Sequence, residues 1–178
     1  MGSELETLVE RILLLARLDA GKVTTNSNPI DLELLLMSTW NSCSQASNCD
    51  PSLVHWQLPK GIVLASDSTL LSLVFRNLFS NALSHGLANH SIDIECERDL
   101  KSLQVHITNS CHEIDESELP RLKERFYLRD LSRSQTGNHS GLGLSLCVDI
   151  LKLLNGRLEL GLPQKDRFRA TVFLSSIY

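Results

Sequence analysis

Two asparagines stand four residues apart in a segment that otherwise has the pattern of an apolar helix. Asn77 and Asn81 are followed by His85, so polar side chains recur at i, i+4 and i+8. Residues with this spacing share one face of a helix. An amide carbonyl oxygen is a ligand that Mg²⁺ accepts alongside substrate phosphates. The stripe therefore favours a metal and phosphate clamp. On this helix alone, asparagines that only satisfy neighbouring backbone groups are the simpler interpretation.

A Gly-x-Gly turn precedes another apolar run. Gly141, Leu142 and Gly143 follow Ser140 and open a segment that ends at an Asn-Gly pair. Glycines let a ligand approach the backbone closely, and the free N–H groups at the start of a helix attract phosphate. The turn is typical of a phosphate cradle. A glycine-rich hinge is the alternative, and a lone Gly-x-Gly does not distinguish the two.

Two polar segments lie between these runs. Asn109 ends a strand-like stretch and is followed by a turn to Ile114. An asparagine at the end of a strand can bind an adenine edge or form an Asx turn. Further along, Glu-Arg-Phe-Tyr ends at Tyr127 and leads into a polar loop that contains Arg129 and Arg133. These arginines can meet phosphate oxygens or remain exposed charges.

Hydrophobic periodicity predicts the elements that position these residues. Helices are predicted over residues 4–20, 31–46, 68–85, 116–126 and 141–154. Strands are predicted over residues 53–58, 62–65, 91–98, 102–108, 157–162 and 167–174. Asp31 and Asp67 are predicted N-caps, and residues 127–140 have no hydrophobic period, which indicates a loop. Helices and strands occur in unequal blocks, which predicts an α/β fold, a two-layer sandwich of a mixed β-sheet with helices on one face.

Composition limits the function classes. With 178 residues, the chain is long enough for one domain with a full core and an appendage. A net charge of -4 argues against a broad basic surface for nucleic acid. None of the five cysteines forms a Cys-x-x-Cys pair, which favours idle thiols in a reducing cytoplasm. No apolar run is long enough to span a bilayer. The opening Met-Gly-Ser looks like a cloning remnant. We therefore expect a cytoplasmic fragment of a longer protein.

The order and spacing of these segments resemble the ATP-binding domain of sensor histidine kinases, with its Bergerat fold. Asn-x-x-x-Asn-Ala resembles the N box of that family, and residues 109–114 resemble a degenerate G1 box. Glu-Arg-Phe-Tyr resembles the F box, and Ser-Gly-Leu-Gly-Leu resembles the G2 box. Residues 1–22 resemble the end of the dimerisation hairpin, its second helix. The resemblance implies a linker over residues 23–30 and a catalytic, ATP-binding domain over residues 31–178.

The resemblance implies ATP and Mg²⁺ as cofactors and assigns roles to single residues. Asn77 and Asn81 would bind Mg²⁺ and phosphate, and His85 would pack beside the adenine. Asn109 stands at the position where the family has an aspartate that binds adenine. Lid and turn contacts to the nucleotide would come from Ile114, Tyr127, Arg129, Arg133, Ser140, Gly141, Leu142 and Gly143.

Several positions depart from the family pattern. Cys111 and Glu113 replace glycines of the G1 box, and His139 replaces the first glycine of the G2 box. The basic residue usual near the end of the N box is Ser84, and Leu128 stands where an arginine usually follows the F-box tyrosine. We expect these changes to weaken nucleotide binding more than they threaten the fold.

The resemblance also implies a reaction and partners. The domain would transfer the γ-phosphoryl group of ATP to a hairpin histidine that this chain lacks, for relay to a response-regulator receiver domain. The full-length protein would form a homodimer through the hairpin and reach the inner membrane only through upstream segments. One alternative is a degenerate nucleotide-binding or dimerisation module with a regulatory, non-catalytic role. Another is a gyrase-like or chaperone-like ATPase, against which the hairpin-like first helix and the short length argue.

Overall fold

Four α-helices and seven strands make up the regular structure of the residues described by the computed structural model, which are 2–47, 49–87, 91–98, 102–128 and 140–175. The helices are α1 (Gly2–Asp19), α2 (Leu32–Ser47), α3 (Ser68–His85) and α4 (Gly143–Leu153). The strands are β1 (Asn28–Asp31), β2 (Val54–Gln57), β3 (Val63–Ser66), β4 (Ile92–Arg98), β5 (Ser102–Ser110), β6 (Arg157–Gln164) and β7 (Arg167–Ser175).

Five of the strands form one mixed sheet in the order β2-β4-β5-β7-β6. Strand β2 runs parallel to β4, and the other neighbours are antiparallel. Strands β1 and β3 pair separately as an antiparallel ribbon. The mixed sheet predicted from the sequence is confirmed.

One face of the sheet carries the apolar core. The apolar side chains that alternate along β4 and β5 are buried, among them Ile94, Val105 and Ile107, as the two-residue period of a strand requires. Helices α2, α3 and α4 pack side by side, and α3 and α4 contact the sheet. Phe75 and Phe79 of α3 are completely buried in this core. The helical layer thus packs α4 against α3, and the C-terminal end of α3 lies beside the end of β5.

Carboxylate caps define where two helices begin. Asp31 Oδ1 accepts a hydrogen bond from the Leu34 N–H at 3.1 Å, and Asp67 Oδ1 accepts one from the Leu70 N–H at 2.9 Å. Such caps satisfy N–H groups that have no partner within the helix. Both predicted N-caps are confirmed, and α3 has the limits that the sequence predicts.

The segment predicted as a linker, residues 23–30, includes the first residues of β1, which begins at Asn28. Ile30 is buried, and it pairs with Leu64 of β3. Just before the strand, the Asn26 N–H donates to Asp67 Oδ2 at 2.8 Å. The segment is therefore tied to the start of α3 by strand pairing and by a hydrogen bond.

The predicted helix over residues 116–126 is also wrong. The structure has two 3-10 helices instead, Glu116–Glu118 and Arg121–Lys123. Pro120 separates them, and a proline has no N–H with which to continue a helical ladder. The Glu116 carbonyl accepts instead from the Leu119 N–H at 3.2 Å, which closes the tighter turn.

Helix α1 is docked through one face. Leu15 is 5% exposed and packs into the core cluster, and Leu8, Leu14 and Leu18 are partly buried against the same cluster. Leu5, Val9, Ile12 and Leu13 are exposed. Across the described part of the chain, no helix is long and apolar enough to cross a membrane.

Candidate functional site

Asn77 lies buried on α3 with its amide orientation determined by a backbone group. Its Nδ2 donates to the Leu73 carbonyl oxygen at 2.9 Å. A carbonyl can only accept, so the amide nitrogen must be on that side and Oδ1 on the other. A Cβ built on Gly143 would lie 3.2 Å from this Oδ1. The carbonyl oxygen of Asn77 therefore faces the first residue of α4, where any residue other than glycine would crowd it.

The start of α4 leaves hydrogen-bond donors without side-chain partners. Its N-cap residue, Leu142, makes no capping hydrogen bond, so the first N–H groups of the helix are not satisfied by a side chain. The Ser140 hydroxyl is buried and has no partner among the described residues. A buried polar group usually has one. The N–H groups at the start of α4 and the Ser140 hydroxyl are hydrogen-bond donors, and together they suit the binding of an anion.

A backbone hydrogen bond joins the two residues that flank the segment 127–140, which the sequence predicts to be a loop. The Phe126 N–H donates to the Gly141 carbonyl at 2.9 Å. Gly141 has a φ of +65°, and a Cβ there would lie 2.7 Å from the Phe126 carbonyl carbon. Both the conformation and the contact require glycine. Tyr127 lies beneath the Arg121 guanidinium, 4.5 Å from Cζ to the ring centre, which anchors one end of the loop.

Asn109 marks the other end of the candidate site. It is buried at the end of β5, and its Nδ2 donates to the Ser110 carbonyl at 3.0 Å. This bond leaves Oδ1 as an acceptor. A Cβ built on Gly86 would lie 3.7 Å from Asn109 Nδ2, so Asn109 adjoins the C-terminal end of α3. His85, the last residue of that helix, is exposed there.

The segment that follows β5 is attached to the β6–β7 turn. The buried Cys111 donates its N–H to the Asp166 carbonyl at 2.8 Å. Glu113 pairs with Lys165 across 2.9 Å, and both side chains are largely exposed. This hydrogen bond raises the pKa of Lys165. Ile114 is half-buried. The carboxylate of Glu113 is thus held at the turn.

The predicted site residues fall into two groups joined by α3. Asn77 adjoins the turn at Ser140, Leu142 and Gly143, and Asn109 adjoins the end of α3. Asn81, half-buried, lies one turn beyond Asn77 on α3. Arg129 and Arg133 lie outside the described residues, as does most of the predicted lid.

Sequence reasoning assigned no role to Arg125, which bridges three elements. Its guanidinium contacts Asp19 of α1 and Asp149 of α4. Hydrogen bonding to Arg125 lowers the pKa of Asp19. The residues are far apart in sequence, so no local spacing indicates the contact. Cys147 of α4 is buried against α3, with its Sγ 3.6 Å from the Val74 carbonyl oxygen, and burial raises the pKa of its thiol to about 12.

Comparison with known proteins agrees with this arrangement. The model of the family described as histidine kinase-, DNA gyrase B- and HSP90-like ATPases matches residues 66–176. The signal transduction histidine-protein kinase BaeS of Escherichia coli is 28% identical over 154 residues, which are 86% of this chain and 33% of BaeS. The sensor protein CzcS of Cupriavidus metallidurans is 29% identical over 168 residues, which are 92% of this chain and 34% of CzcS.

Solved structures support the fold. The histidine kinase AdeS of Acinetobacter baumannii superposes with a TM-score of 0.76 at 18% identity, over 98% of this chain and 79% of that one. Full-length ShkA gives a TM-score of 0.81 at 18% identity, over 99% of this chain and 37% of that one. The predicted α/β fold is confirmed.

The chain spans about a third of the length of the curated relatives it matches, and those relatives are sensor kinases. The family match begins one residue before the Asp67 cap and covers α3, β5 and α4, which carry Asn77, Asn109 and Gly143. The chain therefore belongs to the family of histidine kinase-, DNA gyrase B- and HSP90-like ATPases, and its ATP-binding catalytic domain is of the sensor histidine kinase type.

Proposed function

We propose that this chain binds ATP with Mg²⁺ and acts as the catalytic half of a sensor histidine kinase, which transfers the γ-phosphoryl group to a histidine of a dimerisation hairpin. The observation that carries the proposal is the meeting of Asn77 Oδ1 with the start of α4. An oxygen ligand for a metal and unpaired N–H donors for phosphate stand side by side there. The buried, unpartnered Ser140 hydroxyl supports the same reading.

Each residue has a role in this proposal. Asn77 and Asn81 would hold Mg²⁺, which neutralises the charge of the phosphates when bound. The first N–H groups of α4 and the Ser140 hydroxyl would donate to phosphate oxygens. Asn109 Oδ1 would accept from the exocyclic amine of adenine, and His85 would line that end. Catalysis would then consist of positioning and charge stabilisation.

The wider assignment rests on α1 and on the relatives. The exposed apolar side chains of Leu5, Val9, Ile12 and Leu13 suit a second copy of a hairpin helix. We infer a homodimer through this hairpin, a receiver domain of a response regulator as the phosphoryl acceptor, and an inner-membrane location of the longer protein with this domain in the cytoplasm. The names of the relatives, which are sensor proteins, support this inference.

Calorimetry tests nucleotide binding. ADP and a non-hydrolysable ATP analogue are titrated into the chain with and without Mg²⁺. We expect Mg²⁺-dependent binding, lost in Asn81→Ala and kept in the control Asn41→Ala, which removes an exposed asparagine of α2. The absence of binding heat at millimolar nucleotide would instead favour the non-catalytic regulatory module. The side chains of Cys111 and Glu113 in the G1 segment support that alternative.

Phosphoryl transfer is tested in trans. The chain has no match to the His-Glu/Asp-x-x-x-Pro box that carries the family's acceptor histidine. Radiolabelled ATP should therefore leave no acid-labile phosphate on the chain alone. A separate hairpin that bears such a box from the parent protein should become labelled when the chain is added. An unlabelled hairpin, in a mixture where nucleotide binds, would contradict the kinase assignment.

A further inference from the structure

A recess lies on the face of the five-stranded sheet that is opposite the helical layer. Thr108 of β5 pairs with Asp93 of β4 and with Arg169 of β7, so these three side chains share one face of the sheet. Asn109, the next residue of β5, lies on the other face, beside the end of α3. The recess encloses about 310 Å³ and is lined by residues of β4, β5, β6 and β7. The sheet itself therefore separates it from the candidate nucleotide site.

An irregularity in β6 shapes one side of this recess. Gly161 pairs with Arg169 and Gln164 pairs with Arg167, so three steps along β6 correspond to two steps along β7. One extra residue of this kind is a β-bulge, which bends its strand. Pro163 lies within the bulge and lines the recess together with Gln164. A Cβ built on Gly161 meets nothing within 4 Å, so the bulge and the glycine leave the space beside Arg169 open.

One ion pair in the recess is fully engaged with the protein. Arg167 Nη2 donates to Asp93 Oδ2, and Nη1 contacts the carbonyl and hydroxyl oxygens of Ser91 and the hydroxyl of Ser110. The other oxygen of Asp93 lies 2.9 Å from His55 Nδ1. The Arg167 side chain is only 16% exposed. This pair holds β4, β5 and β7 together and has little capacity left for a ligand.

The second ion pair keeps one donor and one acceptor unused. Arg169 donates from Nε to Thr108 Oγ1 at 2.9 Å and from Nη2 to Glu95 Oε2 at 3.2 Å. Among the residues that the structure describes, neither Arg169 Nη1 nor Glu95 Oε1 has a hydrogen-bond partner. The two side chains are 35% and 28% exposed, so both groups are partly removed from water. A free positive donor and a free negative acceptor thus lie side by side in the recess.

The balance of charge restricts what can bind there. A simple anion on Arg169 would displace the Glu95 carboxylate and then lie beside it, and a simple cation on Glu95 would face the guanidinium. Like charges placed together in this way oppose binding. A ligand that carries both charges replaces both halves of the pair. Because the pair is partly exposed, it contributes little to stability and opens at low cost.

We propose that this recess binds a small zwitterion of the α-amino acid class, with its carboxylate on Arg169 and its ammonium group on Glu95. The two charged groups of an α-amino acid are attached to one carbon, which suits two protein groups whose nearest atoms are 3.2 Å apart. Sites for small molecules usually enclose about 300–1,000 Å³, and a recess of about 310 Å³ suits a molecule of this size. The proposal does not depend on the proposed function.

NMR titration tests the site and the class of ligand. The common L-amino acids are added singly, at millimolar concentration, to the isotope-labelled chain. We expect at least one of them to shift the amide signals of Glu95, Thr108 and Arg169 while those of Asn77 and Gly143 stay unchanged. The N-acetyl derivative of that amino acid lacks the ammonium charge, and its carboxamide lacks the carboxylate. Each derivative should bind at least about tenfold more weakly, as the loss of a hydrogen bond to a charged group implies.

Matched variants separate the recess from the rest of the sheet face. Arg169→Gln and Glu95→Gln should each weaken binding of the amino acid about tenfold or more. Arg157→Gln and Glu159→Gln are the controls, because Arg157 and Glu159 form an exposed ion pair on β6 with N–O contact at 2.8 Å and do not line the recess. The controls should leave binding unchanged. Thermal midpoints measured on all four variants show whether each one is folded.

Three results would overturn the proposal. In the first, none of the amino acids shifts the signals of the recess, which would leave Arg169 and Glu95 as a structural ion pair. In the second, the N-acetyl derivative binds as well as the amino acid, which would make the recess a carboxylate site. In the third, folded Arg169→Gln and Glu95→Gln bind the amino acid as well as the two controls do, which would place the ligand elsewhere on the chain.

Discussion

The phosphate end and the adenine end of the candidate site are built differently. At the phosphate end, Asn77 is buried with its amide orientation fixed, Gly143 fits against it, and Ser140 holds an unpaired hydroxyl. At the adenine end, Asn109 offers a neutral acceptor, and the following segment is tied to the β6–β7 turn through Glu113. The first end has several groups that suit the proposed anion and metal site, and the second presents a single hydrogen-bond acceptor.

This difference predicts how much each end of the candidate site contributes to the affinity for nucleotide. A hydrogen bond between neutral groups contributes about 0.5–1.5 kcal/mol, and one to a charged group about 1.5–3 kcal/mol. The proposed adenine contact of Asn109 belongs to the first class and the proposed phosphate contacts to the second. We therefore expect phosphates and metal to dominate binding, and the base to contribute selectivity.

Asn77→Ala should have an effect as large as that of Asn81→Ala, and larger than that of any change at the adenine end. It removes the proposed metal ligand that faces Gly143, and we expect at least ~100-fold weaker binding of the ATP analogue with Mg²⁺, as loss of groups around a metal commonly costs 10–100-fold or more. Without Mg²⁺ the variant and the unaltered chain should differ far less. Calorimetry checks both conditions, with Asn41→Ala as the control. An effect of equal size without Mg²⁺ would assign Asn77 a structural role.

Gly141→Ala should come next, because it disturbs the backbone contact between Gly141 and Phe126. The glycine has a φ of +65°, and a Cβ would meet the Phe126 backbone at 2.7 Å. Strain of this kind costs about 1–3 kcal/mol, so chemical denaturation should show a lower free energy of unfolding, and nucleotide affinity should fall about tenfold.

Gly161→Ala is the matched control for that strain. A Cβ on Gly161 meets nothing within 4 Å, and its φ is not positive. Equal stability losses in the two variants would show that the contact with Phe126 is not tight in solution.

Asn109→Ala should have a smaller and more selective effect. Adenine has an amine where guanine has a carbonyl, and Asn109 Oδ1 is the acceptor left free by the bond to the Ser110 carbonyl. We expect ATP-analogue affinity to fall by up to about tenfold, with GTP-analogue affinity unchanged. Competition between the two nucleotides measures the ratio. An equal loss of affinity for both nucleotides would mean that Asn109 shapes the pocket without distinguishing adenine from guanine.

The sequence predicted well those parts of the fold that local patterns determine. The limits of α3 agree because Asp67 caps an uninterrupted apolar helix, and the limits of β4 agree to within one residue because burial alternates along that strand. Strand β1 was missed because it is only four residues long and is specified by its pairing with β3. The helix predicted over residues 116–126 is divided at Pro120 because proline has no N–H. This proline is visible in the sequence, but the prediction gave more weight to the helical pattern around it.

The site was predictable in its parts and not in its assembly. Asn77, Asn109 and Gly143 were identified from residue type and position, but the orientation of each amide depends on backbone carbonyls that only the fold supplies. The contact of Arg125 with Asp19 spans 106 positions, and an arginine beside an aromatic pair gives no sign of such a partner. Long-range pairs of this kind require the packed structure.

Glu113→Ala should have the smallest effect and sharpens the comparison most directly. By sequence, Glu113 replaces a glycine near the nucleotide and is expected to obstruct binding. In the structure its carboxylate is 2.9 Å from Lys165 Nζ and largely exposed. A side chain held at the β6–β7 turn does not obstruct a ligand near Asn109, and an exposed pair adds little stability.

We therefore expect Glu113→Ala to change nucleotide affinity by less than about twofold, with the pKa of Lys165 returning towards its ordinary value because its acceptor is gone. Calorimetry and NMR titration of the lysine check the two parts, and Lys165→Ala is the matched variant, since it frees the carboxylate. If Lys165→Ala weakens nucleotide binding while Glu113→Ala strengthens it, the carboxylate can swing into the site, and the weakness of the adenine end would then arise from Glu113 as well as from the neutral acceptor at Asn109.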